Sequence, residues 1–265
     1  EERRRVDVLA VEEPLEIRLD GEPFVVTMRT PGDDIDLVHG LLHAEGVITA
    51  AEQISTARYC GAVGPNGENP YNQLDLALAP GADVPSPEQR RQVLTSSACG
   101  LCGATSIDQV LRDGRYQLAD GPPVRREVVA AAPDRLRERQ RTFAKTGGLH
   151  AAGLMDVAGE LHCVREDVGR HNAVDKVIGW ALRSGRVPAR DLALVVSGRA
   201  SFELTQKAVL AGIPMLIAVS APSSLAVELA ERSGLTLAGF VRGGRMNLYT
   251  HPERVVGARS SVTTK

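Results

Sequence analysis

The chain has 265 residues, of which 43% are hydrophobic, 24% are charged and only 3% are aromatic. Its formal net charge of −2 gives no electrostatic footprint for nonspecific nucleic-acid binding, and four cysteines are too few for a disulfide scaffold. The sequence shows neither a run of about 18 apolar residues nor a signal-peptide pattern, so we expect a cytoplasmic protein that does not enter a membrane.

The first part of the chain predicts a mixture of strands and helices, an α+β region. Alternating apolar residues on both sides of Asp20-Gly21 indicate a β-hairpin, because this dipeptide favours a tight turn between two strands. The apolar spacing between Asp33 and Glu45, followed by Gly46, predicts an amphipathic helix. Two strands and a short helix are predicted after it: Arg58–Val63, Gln73–Ala79 and Ser106–Leu111.

Prolines interrupt the middle of the chain. Pro122-Pro123 and Pro133 precede a charged stretch, Arg135–Arg141, that predicts a connecting helix with a solvated face. We therefore place a domain boundary here. It gives a smaller N-terminal α+β domain, residues 1–134, and a larger C-terminal domain, residues 135–265.

The second half of the chain alternates apolar strands with amphipathic helices. The predicted strands are His150–Val157, Gly159–Val164, Leu192–Val196, Pro214–Val219 and, closing the series, Leu235–Val241. The predicted helices are His171–Leu182, Phe202–Ala211 and Ser223–Arg232. Strands that are apolar along their whole length need cover on both faces, so the pattern predicts an α/β domain with a mixed, partly parallel sheet between helices.

Three turns that follow predicted strands carry residues suited to binding phosphate. Ser197-Gly198-Arg199 leads into a helix, where backbone N–H groups are exposed beside a guanidinium, and Val219–Ser224 makes a similar turn. Phe240-Val241-Arg242-Gly243-Gly244-Arg245 follows the last predicted strand, and its glycines permit close approach of a ligand between two guanidinium groups. Capping alone explains each single turn, but three at one sheet edge favour a nucleotide-like, multiply phosphorylated ligand.

The densest polar cluster of the sequence runs from Arg165 to Lys176. His171, near a predicted helix start, could donate a proton, and the charged residues beside it could hold a ligand. Capping of the helix by Asp167 or Asn172 explains the same residues without a ligand, and the sequence leaves both interpretations open. His150 follows two glycines and could either line a ligand pocket or simply begin a strand.

Cys99-Gly100-Leu101-Cys102 places two thiols where they could share a persulfide, a disulfide or a metal ion. The small residues around this segment include no basic side chain. The N-terminus of the helix predicted at Ser106–Leu111 is therefore the best local influence to lower a thiol pKa. Cys60 and Cys163 each fall in a predicted strand, and we interpret both as structural.

Four long motifs stand out together: Gly147–Gly153, Arg165–Lys176, Ser197-Gly198-Arg199 and Phe240–Arg245. They resemble the motifs of the formate dehydrogenase accessory sulfurtransferase family, FdhD. The resemblance covers nearly the whole chain, from the predicted hairpin to Tyr249-Thr250-His251-Pro252.

This resemblance implies a cytoplasmic sulfurtransferase that accepts persulfide sulfur from a cysteine desulfurase. The sulfur passes to the molybdenum (or tungsten) bis-molybdopterin guanine dinucleotide cofactor before that cofactor enters formate dehydrogenase. The resemblance also implies a homodimer whose larger domain has a cytidine-deaminase-like three-layer αβα fold without a catalytic zinc ion.

Site residues follow from the same resemblance together with the turns described above. The family's paired cysteines fall on Cys99 and Cys102, of which we favour Cys99 as the sulfur carrier and Cys102 as the assisting thiol. The family's cofactor-binding stretch falls on Phe240, Val241, Arg242, Gly243, Gly244 and Arg245. We place Ser197, Gly198, Arg199, His150 and His171 in the same cofactor site.

Three other functions fit part of the sequence. His43-Ala44-Glu45 with Cys99-x-x-Cys102 mimics the pattern of a zinc nucleobase deaminase, but Ala98 replaces the expected proline, and we interpret His43 and Glu45 as surface residues of a last helical turn. A dithiol oxidoreductase would be expected to place its thiols beside a βαβ unit near the chain start, where none is predicted. The third is a cofactor-binding chaperone without sulfur chemistry. It differs from a sulfurtransferase only in that it does not need the thiols.

Overall fold

The computed structural model describes residues 6–60, 71–80, 82, 107–118 and 121–257. Four strands form the first sheet: β1 (Glu13–Leu19), β2 (Glu22–Arg29), β3 (Ile54–Tyr59) and β4 (Gln73–Leu78). Their order is β2-β1-β4-β3, with β1 antiparallel to β2 and parallel to β4. Asp20 and Gly21 have φ angles of 51° and 83°, so the tight turn between β1 and β2 is confirmed.

The third strand begins earlier than predicted, at Ile54 rather than at Arg58. Polar Ser55 and Thr56 break the apolar pattern on which the prediction depends, whereas pairing with β4 decides where the strand lies. The predicted end of this strand, Gly61–Val63, lies outside the described residues.

The helices of the described residues are α1 (Asp34–Ala44), α2 (Ile107–Asp113), α3 (Arg126–Arg139), α4 (Arg141–Thr146), α5 (Arg170–Arg183), α6 (Phe202–Leu210) and α7 (Ser224–Ser233). Short 3-10 helices lie at Ala51–Gln53 and Pro252–Arg254. None of the helices in this part of the chain is long and apolar enough to span a bilayer.

Six strands form the second sheet: β6 (His150–Asp156), β7 (Leu161–Asp167), β8 (Leu192–Val196), β9 (Met215–Ala218), β10 (Thr236–Arg242) and β11 (Arg245–Thr250). Their order is β11-β10-β9-β8-β6-β7, in which only β8, β9 and β10 are parallel neighbours. The mixed, partly parallel sheet is therefore confirmed. A separate pair joins β5 (Val124–Arg125) to β12 (Val255–Val256).

Helices cover this second sheet on both faces. On β8, Leu194 packs into the core that α2, α5, α6 and α7 complete, while its neighbour Val195 packs into the core beneath α3. On β9, Leu216 likewise packs into the first of these cores and Ile217 into the core beneath α3. The two covered faces explain why these strands are apolar throughout. Likeness to the cytidine deaminases stays a prediction.

The connecting helix is longer than the predicted Arg135–Arg141. It begins at Arg126 and carries Pro133 in its interior. Burial of an apolar face, which includes Val128, Val129 and Leu136, offsets the hydrogen bond that proline cannot donate. Residues 134 and 135 both lie inside α3, so the helix continues across the predicted boundary, and the division into two domains stays a prediction.

Helices α1 and α5 approach each other until their backbones touch. A Cβ atom added to Gly40 would lie 1.9 Å from the Asp175 carbonyl oxygen, and one added to Gly179 would lie 1.8 Å from the Asp36 carbonyl oxygen. Only a hydrogen atom fits at either position. The two glycines thus fix how the N-terminal part packs on the second half of the chain.

A buried ion pair of the second half of the chain lies at the same junction and binds Thr30 on the other side of it. Lys176 Nζ lies 2.7 Å from Asp167 Oδ2, with at most 1% of either side chain exposed. Lys176 also donates to the Thr30 carbonyl oxygen at 2.9 Å, and Asp167 accepts the Thr30 N–H at 3.1 Å. Both side chains are therefore committed to holding the two parts of the chain together.

Candidate functional site

Several residues of the predicted cofactor site converge at one edge of the second sheet. The parallel strands β8, β9 and β10 end there, and antiparallel β6 begins there. As a result, His150 at the start of β6, Ser197 after β8 and Arg242 at the end of β10 border one cavity. Val241 also lines it. Turns that the sequence predicts to bind phosphate therefore contribute residues to one and the same cavity.

The cavity has a volume of about 530 Å³, which is within the range of small-molecule sites. The strand ends form one wall, and the opposite wall comes from α3, α4 and the segment that follows them. Gly147 and Gly148 lie on this second wall, immediately before His150. The cavity is thus lined by residues from five separate stretches of the chain.

His150 is a neutral group in this site. Burial lowers the pKa of His150, and the nearby charges of Arg170 and His171 lower it further. A Cβ atom added to Gly198 would lie 3.5 Å from His150 Nδ1, so the turn after β8 rests against the ring. At neutral pH the imidazole offers a hydrogen bond rather than a positive charge.

Ser197 has its hydroxyl group committed to the sheet. Its Oγ accepts the Ala151 N–H at 2.9 Å, and its own N–H donates to the Ala151 carbonyl oxygen at 3.0 Å. These bonds hold the end of β8 against β6. Arg199, two residues on, is exposed at the same edge but does not line the cavity.

The stretch Phe240–Arg245 forms a β-hairpin rather than the end of the last strand. Arg242 and Arg245 pair across a two-residue turn in which Gly243 and Gly244 have φ angles of 56° and 75°. The prediction that Leu235–Val241 closes the strand series is therefore wrong, because β11 returns along β10. In β11, polar Asn247 lies between Met246 and Leu248, an alternation that is typical of an edge strand, so the sequence analysis missed a readable signal.

Within this hairpin only part of the predicted set reaches the cavity. Arg242 lines it, whereas exposed Arg245 does not, and Gly244 instead borders a neighbouring groove. Phe240 has a left-handed φ of 52° and is 39% exposed, while its N–H donates to the Ser220 carbonyl oxygen at 3.1 Å. Such backbone strain in an exposed aromatic residue is typical of functional sites.

His171 lies at the start of α5, away from the cavity lining. Its Nε2 is 3.8 Å from Glu203 Oε2, which is an ion-pair distance, and His171 is the first cause that lowers the pKa of Glu203 to about 2. Arg170 Nε and Ser201 Oγ have no hydrogen-bond partner among the described residues. This second polar cluster adjoins His150 but does not line the cavity.

The sequence analysis missed the cavity wall formed by α3 and α4. Arg137, Gln140 and Phe143 line it, together with Asp134. The charged composition of this stretch indicated a solvated connecting helix, and its chain position is far from the strand ends that it faces. The structure breaks the helix at Gln140, between α3 and α4, and no local sequence signal predicts this break.

Two of the four cysteines, Cys60 and Cys163, lie among the residues that the structure describes. Cys99 and Cys102 lie outside the described residues, so their placement stays a prediction. Burial raises the pKa of Cys163 to about 12, as expected of a structural thiol. Cys60 is half-buried and its backbone N–H donates to the Gln73 carbonyl oxygen at 2.9 Å. Over the described ranges, no three His, Cys, Asp or Glu side chains are grouped as metal ligands would be.

His43 is buried, so its predicted surface position is wrong, whereas Glu45 is exposed as predicted. The prediction gave α1 one buried face, but the helix lies between the first sheet and α5 and is buried nearly all round. Burial lowers the pKa of His43 to about 4, and the charges of Arg115 and Lys207 act in the same direction. His43 is therefore a neutral core residue.

Burial of His43 makes the stability of the fold depend on pH. Because the pKa of His43 falls from 6.5 to about 4 on folding, the unfolded chain binds a proton that the folded chain does not. The free-energy cost of keeping His43 unprotonated is absent above its pKa of 6.5 in the unfolded chain. It grows as the pH falls from there towards the pKa of about 4 in the folded chain. Between about pH 7 and pH 5 it amounts to about 2 kcal/mol.

We expect His43→Gln to remove this part of the pH dependence. Urea unfolding of both proteins at the two pH values measures it, and the free energy of unfolding should fall by about 2 kcal/mol less in the variant than in the wild type. Equal losses in the two proteins would show that His43 does not titrate as its burial requires.

Comparisons with known proteins agree with this architecture. Residues 10–256 match the model of the FdhD/NarQ family. "Sulfur carrier protein FdhD" of Nocardia farcinica is 58% identical over 264 residues, covering 99% of this chain and 93% of the relative. The protein of the same name from Streptomyces avermitilis is 55% identical over 253 residues, covering 95% and 90%.

A solved structure has the same fold. The crystal structure of a putative formate dehydrogenase accessory protein from Desulfotalea psychrophila matches with a TM-score of 0.71 and 26% identity. The match covers 94% of this chain and 91% of that one. Likeness in sequence and in structure therefore extends over both halves of the chain.

Proposed function

This chain belongs to the FdhD/NarQ family, and from that premise we propose that it is a sulfur carrier in the maturation of formate dehydrogenase. As a sulfurtransferase, it takes persulfide sulfur from a cysteine desulfurase in the cytoplasm. It delivers the sulfur to the molybdenum cofactor, bis-molybdopterin guanine dinucleotide, which it binds as the sulfur acceptor. Formate dehydrogenase then receives the cofactor, and the carrier acts as a homodimer.

Cys99 holds the sulfur in this proposal. Its thiolate attacks the outer sulfur of the desulfurase persulfide, the desulfurase thiolate leaves, and Cys99 becomes the persulfide. Attack by the Cys102 thiolate on the inner sulfur then releases the outer sulfur as hydrosulfide and leaves a Cys99–Cys102 disulfide. The two thiols thus supply the electrons that reduce the carried sulfur to the sulfide level.

One observation carries the acceptor half of the proposal: strand ends and a hairpin from distant parts of the chain meet at one cavity. Arg242 supplies a positive charge for a diphosphate, and neutral His150 supplies a hydrogen bond. A volume of about 530 Å³ suits one nucleotide arm of the cofactor rather than both.

GDP, a fragment of the cofactor, tests this site by thermal unfolding. At about 100 times its Kd, a ligand of the folded chain stabilises it by about 2.7 kcal/mol, which raises the Tm by about 5–10 °C. We expect Arg242→Ala to lose this shift and Arg245→Ala, outside the cavity, to lose less of it. Arg190→Ala is the matched control, because this exposed arginine lies before β8, at the other end of the strand.

No GDP-dependent shift in the wild type, or an equal shift in wild type and Arg242→Ala, would contradict the acceptor site. An equal loss in Arg190→Ala would show that removal of any positive charge has the same effect. Binding of the nucleotide alone also suits a chaperone without sulfur chemistry, so the thiols need the separate test given below.

A further inference from the structure

A histidine and a carboxylate form a pair where helices α5 and α6 begin. His171 lies in the first turn of α5 and Glu203 in the first turn of α6, with His171 Nε2 3.8 Å from Glu203 Oε2. His171 is the first cause that lowers the pKa of Glu203 to about 2, so this carboxylate is charged at neutral pH. A carboxylate beside an imidazole holds the ring in place and stabilises the imidazolium that forms when the ring accepts a proton. We call this pair the His171–Glu203 dyad.

The imidazole of the dyad is accessible on the side that Glu203 does not cover. Nε2 is buried, whereas 38% of the His171 side chain is exposed. The exposed part therefore lies elsewhere on the ring. A substrate group and water can reach the imidazole while the carboxylate holds it.

A second ion pair, one helical turn further along, fixes the two helices against each other. Asp175 follows His171 by four residues on α5, and Lys207 follows Glu203 by four residues on α6. Lys207 Nζ lies 2.7 Å from Asp175 Oδ1, and both side chains are largely buried. Residues four apart on a helix share one face, so the inner pair sets the spacing at which the dyad meets. The dyad is thus part of the helix packing.

The surroundings of the dyad favour a negative charge. Arg170 Nε is buried and has no hydrogen-bond partner in the part of the chain that the structure describes. The N-cap residues of α5 and α6, Gly169 and Ser201, make no side-chain bond to the first turns of their helices. Helix N-termini carry a positive potential, and the guanidinium adds to it. His150 adjoins the same cluster from the start of β6.

The core that α5 and α6 complete also contains α2, which follows the predicted sulfur-carrying segment. Ile107 and Val110 of α2 belong to this core together with Phe202 of α6. Cys102 precedes Ile107 by five residues, a length of chain that reaches at most about 18 Å. The chain that follows Cys102 therefore enters the described structure on the same face of the second sheet as the dyad.

We propose that His171 is the base that takes the thiol proton of Cys102 when the carried sulfur is released, with Glu203 as its positioning residue. The S–H bond of Cys102 breaks, the proton passes to the His171 ring, and the sulfur keeps the electron pair. The thiolate attacks the inner sulfur of the Cys99 persulfide and forms the disulfide. The outer sulfur leaves with the electron pair of the broken S–S bond as hydrosulfide, which the positive potential at the helix N-termini stabilises. The imidazolium then gives its proton to water.

This inference rests on the proposed function, because it adds a base to the sulfur-releasing step. Single-turnover release of hydrosulfide tests it. The full chain is loaded by a cysteine desulfurase with cysteine and freed of small molecules. A sulfide-sensitive probe then follows release across neutral pH, and each rate is normalised to the amount of persulfide found by mass spectrometry. We expect the wild-type rate to rise with pH and then level off, because the base acts only when it is unprotonated.

Substitution of the base should slow release and change its pH dependence. We expect His171→Gln to be about 100-fold slower than the wild type and to rise with pH without levelling off, since hydroxide must then remove the proton. Added imidazole should restore part of the rate in His171→Ala, because the free base fills the space left by the side chain. A purely structural role of His171 predicts no such rescue.

Substitution of the positioning residue and of a matched pair completes the test. Glu203→Gln should slow release by about tenfold, and Glu203→Asp, which keeps the charge, should lose less. His162→Gln is the control, because His162 Nε2 also pairs with a carboxylate oxygen, Asp156 Oδ2 at 3.0 Å, but on strands β6 and β7 away from the helix N-termini. We expect this variant to keep the wild-type rate and pH profile.

The outcomes separate this inference from the proposed function. A wild-type rate and pH profile in His171→Gln, or acceleration of the wild type by imidazole as great as that of His171→Ala, would overturn the dyad and leave the sulfur carrier intact. A wild type that takes up no sulfur, or that takes it up and releases no hydrosulfide, would overturn the dyad together with the proposed sulfur chemistry.

Discussion

Formate dehydrogenase will remain inactive in cells whose only copy of this chain carries Cys99→Ala and Cys102→Ala together. A persulfide carrier without thiols has no nucleophile to accept sulfur, so we expect enzyme activity at the level of cells that lack the chain. Formate oxidation in cell extracts, normalised to the amount of formate dehydrogenase protein, measures the effect.

The single variants divide the roles of the two thiols. Cys99→Ala should be as inactive as the double variant, whereas Cys102→Ala should still accept sulfur but deliver it poorly. Cys60→Ala serves as the control, since this half-buried thiol lies outside the predicted site. Normal activation by the double variant would instead support a cofactor-binding chaperone that does no sulfur chemistry.

The second large effect is expected at the contact between α1 and α5. Alanine at Gly179 puts a methyl group 1.8 Å from the Asp36 carbonyl oxygen, and alanine at Gly40 puts one 1.9 Å from the Asp175 carbonyl oxygen. The helices must separate to make room. The free-energy cost of this overpacking exceeds the gain of about 1 kcal/mol that alanine brings in helix propensity. We therefore expect the free energy of unfolding to fall by at least about 3 kcal/mol in either variant.

Urea unfolding measures this loss, and Gly169→Ala is the matched control. Gly169 precedes α5 with ordinary backbone angles, and a methyl group there would lie 3.3 Å from the Asn172 side chain and 3.5 Å from Asp167 Oδ1, with no backbone atom among these contacts. We expect that variant to lose less than about 1 kcal/mol. Wild-type stability in Gly40→Ala and Gly179→Ala would mean that the helices do not touch as described.

Much of the second half of the chain could be predicted because its signals are local. The apolar run Leu192–Val196 and the stripe on α5 report burial directly, and both elements are confirmed. The extension of α3 through Pro133 could not be predicted in the same way, because burial against a distant sheet outweighs the local preference of proline.

The candidate site also combines residues that local sequence signals indicate with residues that only distant packing brings into place. His150, Ser197 and Arg242 line one cavity, and sequence reasoning could bring them together because strand ends in an α/β sheet face a common edge. Their role as site residues stays a prediction. Gln140 and Phe143 were not found, since nothing in their local sequence reveals that α3 and α4 close the opposite wall. His43 was misplaced for a related reason: a helix pattern shows its most apolar face and does not show what covers the others.

Intact-protein mass spectrometry tests the central claim most directly. The chain is incubated with a cysteine desulfurase and cysteine, separated from small molecules, and weighed before and after treatment with a reductant. We predict that the wild type gains the mass of one sulfur atom, that the reductant removes it, and that Cys99→Ala gains nothing while Cys60→Ala loads normally. Undiminished loading of Cys99→Ala, or no loading of the wild type, would contradict the assignment of this chain as a carrier of sulfur on Cys99.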